Sequence, residues 1–150
     1  MGEDIEFIGK FNHTLDPKHR LIFPNKFREQ FGGSGTVTIT KGFDHCLYAY
    51  EMQGWTEFKG KIQSLPMENP ESRLIMREFL GYAMQDSFDK QGRILIAEDL
   101  RAHAFLDKEV VLMGIGKRIE IWDREYFENS RQQLDMNELG VKLAERGISL

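Results

Sequence analysis

Two carboxylate–guanidinium pairs stand at the same spacing in this chain. Asp16 precedes Arg20 in Leu15-Asp16-Pro17-Lys18-His19-Arg20-Leu21-Ile22-Phe23, and Asp89 precedes Arg93 in Phe88-Asp89-Lys90-Gln91-Gly92-Arg93-Ile94-Leu95-Ile96. In a hairpin with a three-residue loop, the flanking residues oppose each other across the strands. Asp16 is therefore expected to face Arg20, and Asp89 to face Arg93. The bland consequence is a turn-stiffening salt bridge, which contributes about 0–1 kcal/mol when exposed. The same pair can also hold an arginine outward, and an oriented guanidinium matches phosphate or the O6 and N7 of guanine. Stiffening and recognition are compatible roles. Candidate contacts to a polyanion are Lys18, His19, Arg20, Lys90 and Arg93. Asp16 and Asp89 support them, as do Arg28 and Arg101, which end the polar stretch after each motif.

The third loop residue differs between the motifs. Gly92 suits the positive φ of a tight turn. His19 adopts that conformation less easily, so it is either slightly strained or sits in a different turn with Pro17 fixing φ. It is either an extra donor beside Lys18 and Arg20 or a solvated loop histidine. An enzyme would need a convergent acid/base set. Asp16 and Asp89 could meet near a pseudo-two-fold axis and share general acid/base work or Mg²⁺. Each has its own arginine, however, which favours plain ionised carboxylates. His13, His19, His45 and His103 lack metal-ligand spacing, no Ser/His or Cys/His set is indicated, and no glycine-rich phosphate loop follows a strand. The expectation is no enzyme, no cofactor, no metal and no small-molecule substrate.

The elements that must position these loops repeat too. With Asp16 set on Asp89, Val37-Thr38-Ile39-Thr40 falls on Val110-Val111-Leu112-Met113. After a one-residue gap, Leu47-Tyr48-Ala49-Tyr50 falls on Ile119-Glu120-Ile121-Trp122, Trp55 meets Phe127, and Ile62 meets Leu134. Each half reads strand, turn, strand, short helix, strand, turn, strand, longer helix, with Gly and Asp marking the turns. A repeat of this extent decides architecture before any local assignment does. Between the halves, Pro66 should stop a helix, and Asn69-Pro70 should start another by N-cap and first-position proline. That helix is expected to carry Leu74, Ile75, Phe79 and Leu80 on one face. Asp135-Met136-Asn137-Glu138 can open a last helix by a capping box, in a partly mobile tail with Leu139, Leu143 and Ile148. The organisation is one repeat over 10–54, a second over 83–126, and a helical tail over 127–150.

At 150 residues the chain is one compact domain or two small intertwined ones. Each half alone is short for its own core, so the repeats should share one and should oligomerise. No apolar run is long enough for a membrane span, and the start Met1-Gly2-Glu3-Asp4 is acidic rather than signal-like. Cys46, the single cysteine, reads as a buried small hydrophobe in a reducing cytoplasm. The net charge of −4 is unhelpful for phosphate neutralisation, but it is unevenly spread. Lys10, Lys18, Arg20, Lys26 and Arg28 face only Asp16 in the first motif's stretch. In the second, Lys90, Arg93 and Arg101 meet Asp86, Asp89, Glu98 and Asp99.

The chain resembles the MraZ family of bacterial transcriptional regulators. The resemblance rests on Leu15-Asp16-Pro17-Lys18-His19-Arg20-Leu21, Thr40-Lys41-Gly42-Phe43-Asp44, Leu65-Pro66-Met67-Glu68-Asn69-Pro70, Asp89-Lys90-Gln91-Gly92-Arg93-Ile94-Leu95-Ile96 and Ile119-Glu120-Ile121-Trp122-Asp123, and runs from about Phe7 to Leu134. It implies an α+β, mainly β fold. This would be a pseudo-two-fold, swapped-hairpin β-barrel from two tandem SpoVT/AbrB-like repeats, with flanking helices. It also implies a ring-like homo-oligomer of more than two subunits. Its partner would be double-stranded promoter DNA bearing short direct repeats in the division and cell wall gene cluster. The motifs carry over to Asp16, Lys18 and Arg20 and to Asp89, Lys90 and Arg93, with His19 standing where the family usually has Gly. A cytoplasmic, nucleoid-associated location follows. The alternative is an oligomeric protein-interaction scaffold that docks a partner on strand edges and on Trp55 or Trp122.

Overall fold

The computed structural model describes residues 5–33, 35–131 and 135–150. The acidic start at 1–4 and Leu134, the expected counterpart of Ile62, lie outside the described residues. The first half forms β1 (Phe7–Thr14), β2 (Arg20–Ile22), α1 (Asn25–Arg28) with a 3-10 turn (Glu29–Phe31), β3 (Thr36–Lys41), β4 (Leu47–Tyr50) and α2 (Met52–Gln63). Next comes α3 (Pro70–Met76), continued by a π turn (Arg77–Gly81). The second half forms β5 (Met84–Ser87), β6 (Arg93–Leu95), α4 (Glu98–His103), β7 (Glu109–Gly116), β8 (Ile119–Asp123) and α5 (Arg124–Arg131), and α6 (Met136–Glu145) closes the chain. The order is the one the repeat dictates.

Strand pairing crosses between the halves. β1 pairs with β7, Asn12 opposite Val111, and β5 pairs with β3, Gln85 opposite Thr38. These two registers are the same register moved by the spacing that separates Asp16 from Asp89. In β2–β6 Leu21 faces Ile94, and in β4–β8 Tyr48 faces Glu120. Each pairs a residue with its own repeat equivalent, so the pseudo-two-fold axis passes between them. The result is a six-stranded antiparallel sheet, β1-β7-β8-β4-β3-β5, and a two-stranded ribbon, β2-β6. A bridge from Leu15 to Leu21 ties ribbon to sheet. Each half contributes one hairpin of its own, β3–β4 or β7–β8, and the remaining pairings cross between the halves, which is the swapped arrangement expected of an α+β fold on a strand frame. The expected barrel takes the form of this sheet with the ribbon packed on one face.

Alternation along the strands separates two cores. Val37, Ile39, Leu47, Ala49, Val110, Leu112, Ile119 and Ile121 face the ribbon and pack with Leu21, Ile94, Phe27 and Leu100. Tyr48, Tyr50, Val111 and Trp122 face the other way, onto Trp55, Ile62, Phe79 and Phe127. Cys46 lies in the second core, where burial pushes its thiol pKa up. One helix expectation fails: Ile75, Phe79 and Leu80 pack on the second core, but Leu74 is 56% exposed. Ile75 and Phe79 stand four residues apart on one face, while Leu74, one residue before Ile75, lies about 100° round the helix and faces outward; the π turn brings Leu80 onto the buried face. α6 starts as expected on Asp135, whose carboxylate accepts from the N–H groups of Asn137 and Glu138, yet none of its residues is buried. Among the described residues no helix is long and apolar enough to cross a membrane.

Candidate functional site

The two motifs build the same loop. The Asp16 carbonyl accepts from the His19 N–H (2.9 Å), and the Asp16 N–H donates to the Arg20 carbonyl (3.0 Å). Asp16 Oδ1 accepts from the N–H groups of Lys18 and Arg20, both at 2.9 Å, and Oδ2 accepts from Arg20 Nε at 2.7 Å. Asp89 repeats this with Gln91 N–H and Arg93 N–H at 2.9 Å and Arg93 Nε at 2.7 Å. Both carboxyls lie below the usual carboxylate range. The main-chain N–H of Arg20 or Arg93 contributes most; the guanidinium and the Lys18 or Gln91 N–H add to it against some desolvation. The carboxylates are thus fully ionised clamps, each using one oxygen on the loop backbone and the other on its arginine.

A turn followed by one residue at positive φ is the usual three-residue hairpin connection. That residue is Gly92 at φ 79° in one loop and His19 at φ 64° in the other. His19 therefore sits in the same turn as Gly92 and is the strained case. A left-handed conformation costs an L-residue about 1–2 kcal/mol, and glycine's extra chain entropy returns roughly 0.5–1 kcal/mol of that. His19→Gly should raise the melting temperature by about 2 °C. A lowered melting temperature would show that the imidazole makes a compensating contact.

The loops sit at opposite ends of one ribbon. Its ladder extends past β2 and β6, with Phe23 N–H donating to the Gly92 carbonyl (3.1 Å) and Ile96 N–H to the His19 carbonyl (2.9 Å). Leu21 and Ile94 point into the core, so Arg20, Ile22, Arg93 and Leu95 point outward. Arg93 Nη1 also comes within 3.8 Å of Asp16 Oδ2, linking the two motifs. Lys18, His19 and Lys90 are exposed, and among the described residues neither lysine has a carboxylate within ion-pair distance. Arg28 and Arg101 hold α1 and α4 against the ribbon, their Nε groups donating to the carbonyls of Phe23 (2.9 Å) and Ile96 (3.0 Å). Arg28 also fills the space beside Gly92, where an added Cβ would meet its Cζ at 2.5 Å. Gly92 is thus favoured by φ, and any side chain there would have to displace the end of Arg28.

Sequence reasoning paired each aspartate with its arginine. It missed the Arg93–Asp16 contact and the packing of Arg28 on Gly92, because both cross between the halves and leave no local spacing to read. It also passed over Ile22 and Leu95, whose exposure follows only once Leu21 and Ile94 are known to face inward. Trp55 and Trp122 are 7% and 8% exposed and belong to the second core, so neither is available as a docking anchor.

A family model described as "MraZ protein, putative antitoxin-like" matches the chain twice, over residues 7–78 and 79–146. A protein of Clostridium acetobutylicum named Transcriptional regulator MraZ is 41% identical over 143 residues, covering 95% of this chain and 99% of that protein. A protein of Moorella thermoacetica with the same name is 47% identical over 122 residues, covering 81% of this chain and 84% of that protein. One from Clostridium tetani is 42% identical over 143 residues, covering 95% and 99%. With both halves matched and such relatives spanning nearly its whole length, the chain belongs to the MraZ family.

Proposed function

We propose that this chain is a sequence-specific DNA-binding transcriptional regulator of the bacterial division and cell wall gene cluster. It acts as a ring-like oligomer on promoter direct repeats through its two Asp-x-x-x-Arg loops. The observation that carries the reading is one loop geometry built twice, at the two ends of a single exposed ribbon, each copy aiming an arginine and a lysine outward. The role is that named for the relatives, transcriptional regulation. Strands in such a ribbon lie about 5 Å apart, so it fits within the ~12 Å major groove of duplex DNA. Arg20 and Arg93 then face base edges, while Lys18 and Lys90, with His19, reach phosphates at either end. The acidic net charge is offset by assembly, because many weak basic loops on consecutive repeats gain effective concentration. A cytoplasmic, nucleoid-associated location belongs to the same proposal.

A salt titration of binding tests it. The logarithm of affinity should fall linearly with the logarithm of salt concentration, by about 0.9 for each phosphate neutralised. Retained binding with a flat salt response would remove Lys18 and Lys90 from the phosphates. No binding to any duplex would leave the scaffold reading in its place.

A further inference from the structure

Resting on that DNA-binding reading, we infer that Ile22 and Leu95 read the C5-methyl groups of thymine in the major groove, beside the bases contacted by Arg20 and Arg93. The two aliphatic residues occupy equivalent places in the two repeats and are 40% and 51% exposed. Isolated exposed aliphatics are ordinary on protein surfaces. These are not isolated. In the ribbon register Arg20 stands opposite Leu95 and Ile22 opposite Arg93. The outward face is therefore a checkerboard of two guanidinium groups and two branched aliphatic groups, with the same chemistry on both diagonals.

Each part of the checkerboard points to a base edge. A ribbon meant only for phosphates would carry hydroxyls or lysines at positions 22 and 95, because an aliphatic side chain gains nothing from a phosphate. A ribbon meant for an apolar protein surface would gain nothing from two arginines already held in place by carboxylates. The major groove offers both matching chemistries side by side. Guanine presents two acceptors to a guanidinium, and thymine presents a methyl group to an apolar side chain. The spacing fits as well. Arg20 and Ile22 are two residues apart on one face, roughly 7 Å at about 3.4 Å per residue. Two base-pair rises cover the same distance at about 3.4 Å each. An arginine on guanine thus leaves the aliphatic group over a base about two steps away. The aspartate clamps make the arrangement rigid, so the methyl contact needs no further ordering of the loop.

The test uses the full-length oligomer and a duplex that it enriches from a random-sequence pool. Each thymine of the enriched site is replaced in turn by deoxyuridine, which removes only the C5-methyl group. Loss of one buried methyl-sized contact corresponds to about a fourfold weaker affinity. The expected result is such a loss at one or two thymines and none elsewhere. In Ile22→Ala and Leu95→Ala proteins the penalty for deoxyuridine should vanish at one position each, with folding intact and sedimentation unchanged because both residues lie outside the core. Binding that is salt-dependent and sequence-selective but indifferent to deoxyuridine would overturn the methyl contact and leave the DNA reading standing. So would a deoxyuridine penalty that survives in both variants. A changed sedimentation coefficient in the variants would assign the face to subunit contact instead. Failure to enrich any duplex would overturn the DNA reading itself, and this inference with it.

Discussion

Arg20→Ala should weaken binding to the enriched duplex by about 10- to 100-fold, and Arg93→Ala by less, with both proteins folded. A guanidinium paired bidentately to guanine discriminates by about 1–3 kcal/mol, and losing it from every subunit of an assembly compounds the effect. The double variant should bind no better than non-specifically. The asymmetry follows from charge around two loops of equal geometry. Along the chain Arg20 lies near Lys18, Lys26 and Arg28, and Arg93 near Asp86, Glu98 and Asp99, but Arg28 crosses to the Gly92 end of the ribbon, so the difference rests on the carboxylates that hold each arginine. Arg93 is also shared between Asp89 at 2.7 Å and Asp16 at 3.8 Å, so more of its charge is already answered. Because Arg20 and Arg93 are partly exposed and outside both cores, truncation should leave the thermal transition nearly unchanged. Gel-shift titration with parallel circular dichroism melts measures both quantities. Equal losses at the two positions would show that the assembly uses both loops alike and that neighbouring charge has no weight.

Assembly is the second large effect. The six-stranded sheet ends in β1 and β5, whose outer sides have no strand partner among the described residues, and open edges invite pairing with another chain. Met136, Leu139 and Val141 of α6 are exposed as well. A closed ring buries a head-to-tail surface without endless growth. We expect an oligomer larger than a dimer at micromolar concentration. One subunit presents one ribbon with two Asp-x-x-x-Arg loops, and linking many ribbons multiplies affinity by about 10²–10⁴. Sedimentation at graded dilution, followed by binding at each concentration, decides the matter. Tight operator binding should disappear together with the oligomer. A monomer that still binds tightly would sink both the ring and the avidity argument.

What the sequence by itself determined was the repeat and everything local to it. The spacing of Asp16 to Arg20 and Asp89 to Arg93 implied one hairpin loop built twice, and Asn69-Pro70 and Asp135 marked helix starts where helices begin. Short apolar or alternating runs separated by Gly and Asp marked β3, β4, β7 and β8 as strands, because turn chemistry and side-chain period act over a few residues and are written there. Tertiary structure decided what depends on partners distant in the chain. Whether His19 would keep the Gly92 turn or change it was open in the sequence; the ladder that pairs its carbonyl with Ile96 holds it at positive φ. The seat of Arg28 beside Gly92, the contact of Arg93 with Asp16 and the outward turn of Ile22 and Leu95 follow from pairing each repeat's strands with those of the other. Leu74 was misplaced because it lies about 100° round the helix from Ile75, and only the packing of Ile75 and Phe79 on the second core decides which side is buried. A repeat read from sequence states which elements exist twice. Only the crossing of those elements, driven by burial that neither half achieves alone, sets the two loops at the ends of one ribbon and makes a single face of them.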